Sequence, residues 1–201
     1  PGHTVVTDHT FVVGTDPVEP FDLELRGVAS LEPEVADAFT AAAQRWEQVI
    51  VRGTAPFTLP PGQTCLDPSG TVPPEIDDVV IDVAVELIDG PGNVLGSAGP
   101  TCMASGSDLA VTGEMRFDSA DVASLLADDA FDDVVLHEMG HVLGIGTLWN
   151  TVPYGGTRNL TAGVGTSSTR YTGPRAVAEF AGLTGVSNTS SVPVEATGGP
   201  G

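Results

Sequence analysis

Two histidines four residues apart, with a glutamate directly after the first, constrain this chain more than any other feature: His137-Glu138-Met139-Gly140-His141. Phe131, Val134, Val135 and Leu136 precede the run, and Val142 and Leu143 lead from it to Gly144. That pattern predicts a helix with one apolar face, ended by the glycine. On a helix, positions four apart share a face about one turn apart. Two imidazoles so placed can hold one metal ion, with the helix as a rigid frame. Zinc suits neutral imidazole nitrogens, which makes His137 and His141 candidate ligands of one Zn2+ ion. Glu138 is placed to reach the water on such an ion rather than the ion itself, as a candidate catalytic base. The competing readings are a helix with two solvated histidines and a non-catalytic structural metal site.

The rest of the composition narrows the setting. The chain has 201 residues, enough for one domain with a single sizeable core. Its 41% hydrophobic and 17% charged content fits a globular protein. No apolar run reaches the roughly 18 residues that span a bilayer, so no membrane insertion is expected. Seven arginines, no lysine and 27 acidic residues give a net charge of -20. Nucleic-acid binding needs basic groups to neutralise phosphates, so that class is excluded as an expectation. The acidity reads as solubility in an extracellular setting. A second reading is Ca2+ binding at Asp77, Asp78 and Asp82, or at Asp128, Asp129, Asp132 and Asp133. Neither cluster has EF-hand spacing. Cys65 and Cys102 are too few for a Cys-type zinc site. One disulfide between them is the simplest account in a secreted protein, against the alternative of two free thiols.

The order of elements predicts an α+β fold: a twisted mixed sheet, one long backing helix and one active-site helix. Phe21 to Arg26 alternates apolar and charged residues, as a half-buried strand does. Pro33 opens a helix whose Val35, Phe39, Ala42, Ala43, Trp46, Val49 and Ile50 form one apolar face, closed by Gly53. Residues 54 to 75 read as loop. Val79 to Ile88 is a β-branched strand, 89 to 93 a turn, Val94 to Ala98 a short edge strand or an ordinary turn, and Val111 to Phe117 a further strand. The metal helix begins near Asp128 and Asp129. A last short helix runs from Pro174 to Leu183, and from Gly185 onward the chain reads as loop.

A glycine three residues past His141 lets the chain leave the helix through a positive-φ turn. The pattern His137-Glu138-x-x-His141-x-x-Gly144 resembles the metzincin clan of zincins. Most metzincins place a third histidine where this chain has Thr147. The leishmanolysin family places it after a long insertion instead. The run from Val135 to Trp149 is similar to bacterial members of that family. So are Met115 to Asp121, Pro193 to Gly199, and the helix around Ala43-Gln44-Arg45-Trp46-Glu47. The resemblance covers roughly residues 21 to 201.

The resemblance implies a secreted, zinc-dependent endopeptidase acting on extended protein or peptide substrates, with Glu138 as general base. It implies that the segment Leu95, Gly96, Ser97 and Ala98 pairs with substrate. An unpaired strand edge is also a physical template for a peptide backbone. The disulfide would tie the loop after the long helix to the loop after the edge strand. No histidine follows His141, and no methionine follows the helix for the Met-containing turn of the clan. The resemblance therefore places the third histidine beyond Gly201, on a longer chain or a bound C-terminal fragment. His3, His9 and Glu195 are the in-chain alternatives. On this expectation residues 1 to 201 form one catalytic domain, incomplete at its C-terminus. A binding module that keeps the metal helix as a clip is the alternative function.

Overall fold

The computed structural model describes residues 19–60, 65, 75–104, 109–150 and 159–194. His3, His9 and Glu195 lie outside these residues. The elements in chain order are β1 (Leu23–Arg26), α1 (Pro33–Val49), β2 (Phe57–Thr58), β3 (Glu75–Ile76), β4 (Val79–Glu86), β5 (Gly96–Met103) and β6 (Ala110–Asp118). They continue with α2 (Val122–Ala127), α3 (Phe131–Val142), β7 (Thr161–Ala162), β8 (Arg170–Tyr171), α4 (Pro174–Thr184) and β9 (Val192–Pro193). The architecture is α+β with a mixed sheet, as the element order predicts.

The main sheet has the order β1-β4-β6-β5. β1 and β6 both run parallel to β4, and β5 runs antiparallel to β6 along the edge. The registers Val83↔Met115 and Val85↔Phe117, with Ala98↔Met115 across to β5, set one apolar face toward the helices. There α1 and α3 pack side by side. Phe39 of α1, Phe117 of β6 and Phe131 of α3 meet edge to face, with centroids 5.2 to 6.0 Å apart. Such aromatic contacts stabilise beyond area burial by about 0.5–1.5 kcal/mol each. Val135, Met139 and Val142 complete the buried face of α3. A Cβ at Gly113 would collide with the Val142 side chain, so a glycine there lets α3 settle against the sheet.

Several boundaries differ from the sequence expectation; β1 starts at Leu23 rather than Phe21, and β4 ends at Glu86 rather than Ile88. α1 ends at Val49, where Ile50 turns extended, so Gly53 does not close it. Gly53 packs instead against the Asp78 carboxylate, where a Cβ would stand 2.8 Å from Oδ2. The edge strand starts two residues later and runs five residues further than Val94 to Ala98. Pairing with β6 carries it through Gly99 and Pro100, residues of low strand propensity. Asp128 caps the end of α2, a helix of its own, while α3 starts at Phe131. Short strands lie in or beside the segments read as loop, β2 and β3 around 54 to 75 and β9 after Gly185; β2 pairs with β3, and β9 joins β7 and β8 in a small sheet.

Cys65 and Cys102 form a disulfide with a Cα–Cα distance of 5.3 Å, and no free cysteine remains. Cys102 lies within β5 rather than in the loop after it, so the bridge ties residue 65 to the edge strand itself. Among the described residues no helix is long and apolar enough to cross a membrane.

Candidate metal centre

α3 carries the whole His-Glu-His motif, and its amphipathic pattern decides which way each member faces. Met139 and Val142 turn into the core with no exposure, and His137 and His141 stand on the open flank. Gly140 is buried beneath Trp46, where a Cβ would meet the indole at 3.1 Å. The helix is thereby held from behind while its histidine flank stays free.

The end of α3 explains the orientation of His141. Gly144 adopts φ 95°, as its position predicts. The Gly144 N–H donates to the His141 carbonyl at 3.1 Å, and the Ile145 N–H donates to the Gly140 carbonyl at 2.9 Å. This pair is the Schellman arrangement of a glycine-terminated helix. It places the Ile145 carbonyl oxygen 2.7 Å from His141 Nδ1. A carbonyl only accepts, so Nδ1 carries the proton and Nε2 is left with a free lone pair. That Nε2 lies 3.0 Å from His137 Nε2, with the rings at 89°. Two tetrahedral zinc ligands at about 2.0–2.1 Å from the ion stand about 3.3 Å apart, so the pair fits a zinc ion with a small adjustment. The Ile145 carbonyl does for His141 what a second-sphere acceptor does for metal-bound histidines generally.

Glu138 is 8% exposed and sits with its carboxylate among the same ligand atoms, all within 4.8 Å of one another. Burial pushes its carboxyl above the ordinary value, opposed by the two imidazoles when they carry charge. A carboxylate raised in this way suits proton acceptance better than one at the usual value.

The three side chains open on a cleft of about 660 Å³. One wall is α3, with Asp133, Val134, His137, Glu138 and His141. The other is the segment Asn93 to Ala98. Leu95, Gly96, Ser97 and Ala98, singled out from sequence, thus face the motif across the cleft. Thr147 also lines it, but its hydroxyl donates to the His141 carbonyl at 2.6 Å, closing off the end of α3.

Among the described residues, His137, Glu138 and His141 are the one group of three His, Cys, Asp or Glu whose ligand atoms converge. The two acidic clusters do not gather in this way. Asp78 is buried and accepts the N–H groups of Asp22 and Thr54, at 2.9 and 2.5 Å, which ties the approach to β1 and the segment after α1 to the start of β4. Asp128, Asp129, Asp132 and Asp133 are exposed. Two site features escape a reading of the sequence. The Ile145 carbonyl is main chain, and Gly144 is its only trace. Asp133 enters the cleft because it stands one helical turn before His137.

No protein-family model matches this chain, and no curated protein matches it.

Proposed function

We propose that this protein is a zinc-dependent endopeptidase of metzincin type, resembling the leishmanolysin family. The observation that supports the reading is the pair of Nε2 atoms 3.0 Å apart beside a buried glutamate, on a cleft whose opposite wall runs into a sheet edge. His137 and His141 would hold the ion. When bound, zinc polarises a scissile carbonyl and lowers the pKa of water toward neutrality. Glu138 then accepts a proton from the attacking water and returns it to the leaving amine. Its neighbour His141 is kept in the ligating tautomer by Ile145. The segment Leu95 to Ala98 aligns an extended peptide by main-chain hydrogen bonding, with Val94, Leu95 and Val134 supplying apolar contact.

A catalytic zinc takes three protein ligands. The in-chain candidates for the third, His3, His9 and Glu195, lie outside the described residues. The Cys65–Cys102 bridge fits a non-reducing compartment, and with it secretion. Digestion of a casein-type substrate, with and without chelator and with zinc restored, tests the reading. Cleavage that a chelator abolishes and zinc restores supports it. Stoichiometric zinc without cleavage would favour a structural metal clip on a binding module.

A further inference from the structure

Asp133 lies on the cleft wall and has no part in the chemistry assigned to the motif. It stands in the first turn of α3, one turn before His137, and is exposed. Among the described residues no hydrogen bond or ion pair takes up its carboxylate. Among the described residues lining the cleft it is the one carboxylate apart from Glu138, and no arginine or lysine stands there to neutralise it. Its neighbour Asp132 is also exposed and also in the first turn, but lines a different cavity, with Glu34 and Asp37 of α1. An acidic first turn suits the helix dipole at either position. The dipole therefore accounts for the charge of Asp133 and not for its place in the cleft.

The surroundings specify what such a carboxylate would meet. Val94, Leu95 and Val134 give the cleft an apolar lining, and outside the motif its other lining residues carry no charge. Apolar lining beside one unpaired carboxylate matches a long cationic side chain, whose methylene stem packs on apolar surface while its head keeps a polar partner. A helical turn advances about 5.4 Å, and an extended peptide advances about 3.3 Å per residue. A carboxylate one turn from His137 is therefore within reach of a side chain one or two residues from a carbonyl held at the metal centre.

We infer that Asp133 makes the cleft selective for peptides with an arginine or lysine within two residues of the scissile bond. The position of that bond rests on the peptidase reading, whereas the preference for a cationic side chain stands on the cleft lining alone. The net charge of -20 draws any cationic peptide toward the molecule. That general attraction does not depend on a single carboxylate, so the contribution of Asp133 is separable from it.

Two labelled peptides of otherwise uncharged sequence, one with arginine and one with glutamine at the same central position, are the probes. Their binding to the zinc-loaded full chain carrying Glu138→Gln is read by fluorescence anisotropy, which needs no cleavage. The arginine peptide should bind about fivefold tighter, the upper range for an exposed ion pair, and the gap should close as salt is raised. Adding Asp133→Asn should abolish the difference at unchanged zinc content. Adding Asp132→Asn, which removes the same charge outside the cleft, should leave the difference in place. On the wild-type protein, cleavage sites mapped by mass spectrometry in a peptide library should fall within two residues of arginine or lysine. Equal binding of the two peptides overturns the assignment. So does a preference that survives Asp133→Asn, one that falls equally with Asp132→Asn, or cuts placed without regard to basic residues. A wild-type protein that cleaves nothing while the binding preference follows Asp133 would remove the peptidase reading and leave the cationic selectivity of the cleft standing.

Discussion

Trp46 donates its indole N–H to the carbonyl of Leu136, 3.2 Å away, and so pins α1 to α3 one residue before the first motif histidine. The same ring covers Gly140, between the two histidines along the helix. One side chain thus touches α3 at two places, just before the motif and within it, in addition to the Phe39–Phe131 contact further along. Trp46→Phe keeps most of the ring and removes the donor. Stability should fall by about 1 kcal/mol, the usual net worth of such a bond. Urea unfolding reads the change, and an unaltered midpoint would show that the bond contributes nothing.

Glu138→Gln should keep zinc and lose activity by at least about 100-fold, because an amide orients water but accepts no proton. His137→Ala and His141→Ala should lose the metal as well. Elemental analysis beside a peptide-cleavage assay separates the two outcomes. Full zinc content in either histidine variant would remove that residue as a ligand.

Gly144→Ala places a Cβ on a residue at φ 95° and within 2.9 Å of the Leu148 side chain. The strain should cost about 1–2 kcal/mol. It should also weaken zinc binding, since the Ile145 carbonyl loses its position under His141. Ile145→Ala keeps the carbonyl and should leave zinc affinity within about twofold of wild type. A competition titration with a chromogenic chelator compares them. Equal affinities for Gly144→Ala and wild type would show that the turn does not orient the ring.

Replacing both Cys65 and Cys102 by serine should destabilise the protein by up to about 4 kcal/mol. That figure is the chain-entropy value for residues 37 apart. Because Cys102 lies on the edge strand, peptide affinity should fall together with stability. Unfolding midpoints and KM measured on the same preparations test this, and a double variant with both unchanged would refute it.

The sequence discloses α1, β4, β6 and α3 because each has a clear period and buries a full face. Phe39, Val83, Met115 and Val135 are apolar where one period demands it. α2 was hidden because it is six residues long and buries no side chain, so Asp128 and Asp129 read as the start of α3. β5 was only half legible. Gly96, Gly99 and Pro100 oppose strand formation locally, and the strand exists through its partner β6. In the site, the motif names His137, Glu138 and His141 outright. The hydrogen bond that sets the His141 tautomer is out of reach of a side-chain reading. Asp118 and Asp121 stood in the sequence as part of a resemblance, and only the folded turn sets them to accept the N–H groups of Asp89, Gly90 and Gly92.

The acceptor behind His141 is main chain, and this divides the burden of natural variation unevenly. A side-chain acceptor would force one residue type at its own position. Here position 145 is free to drift among residues that suit its half-exposed surroundings, because every one of them presents the same oxygen. The whole restriction moves one place back, to residue 144, where a side chain of any kind is disfavoured. In homologous sequences this centre would therefore leave its mark as an unchanging glycine beside a variable neighbour.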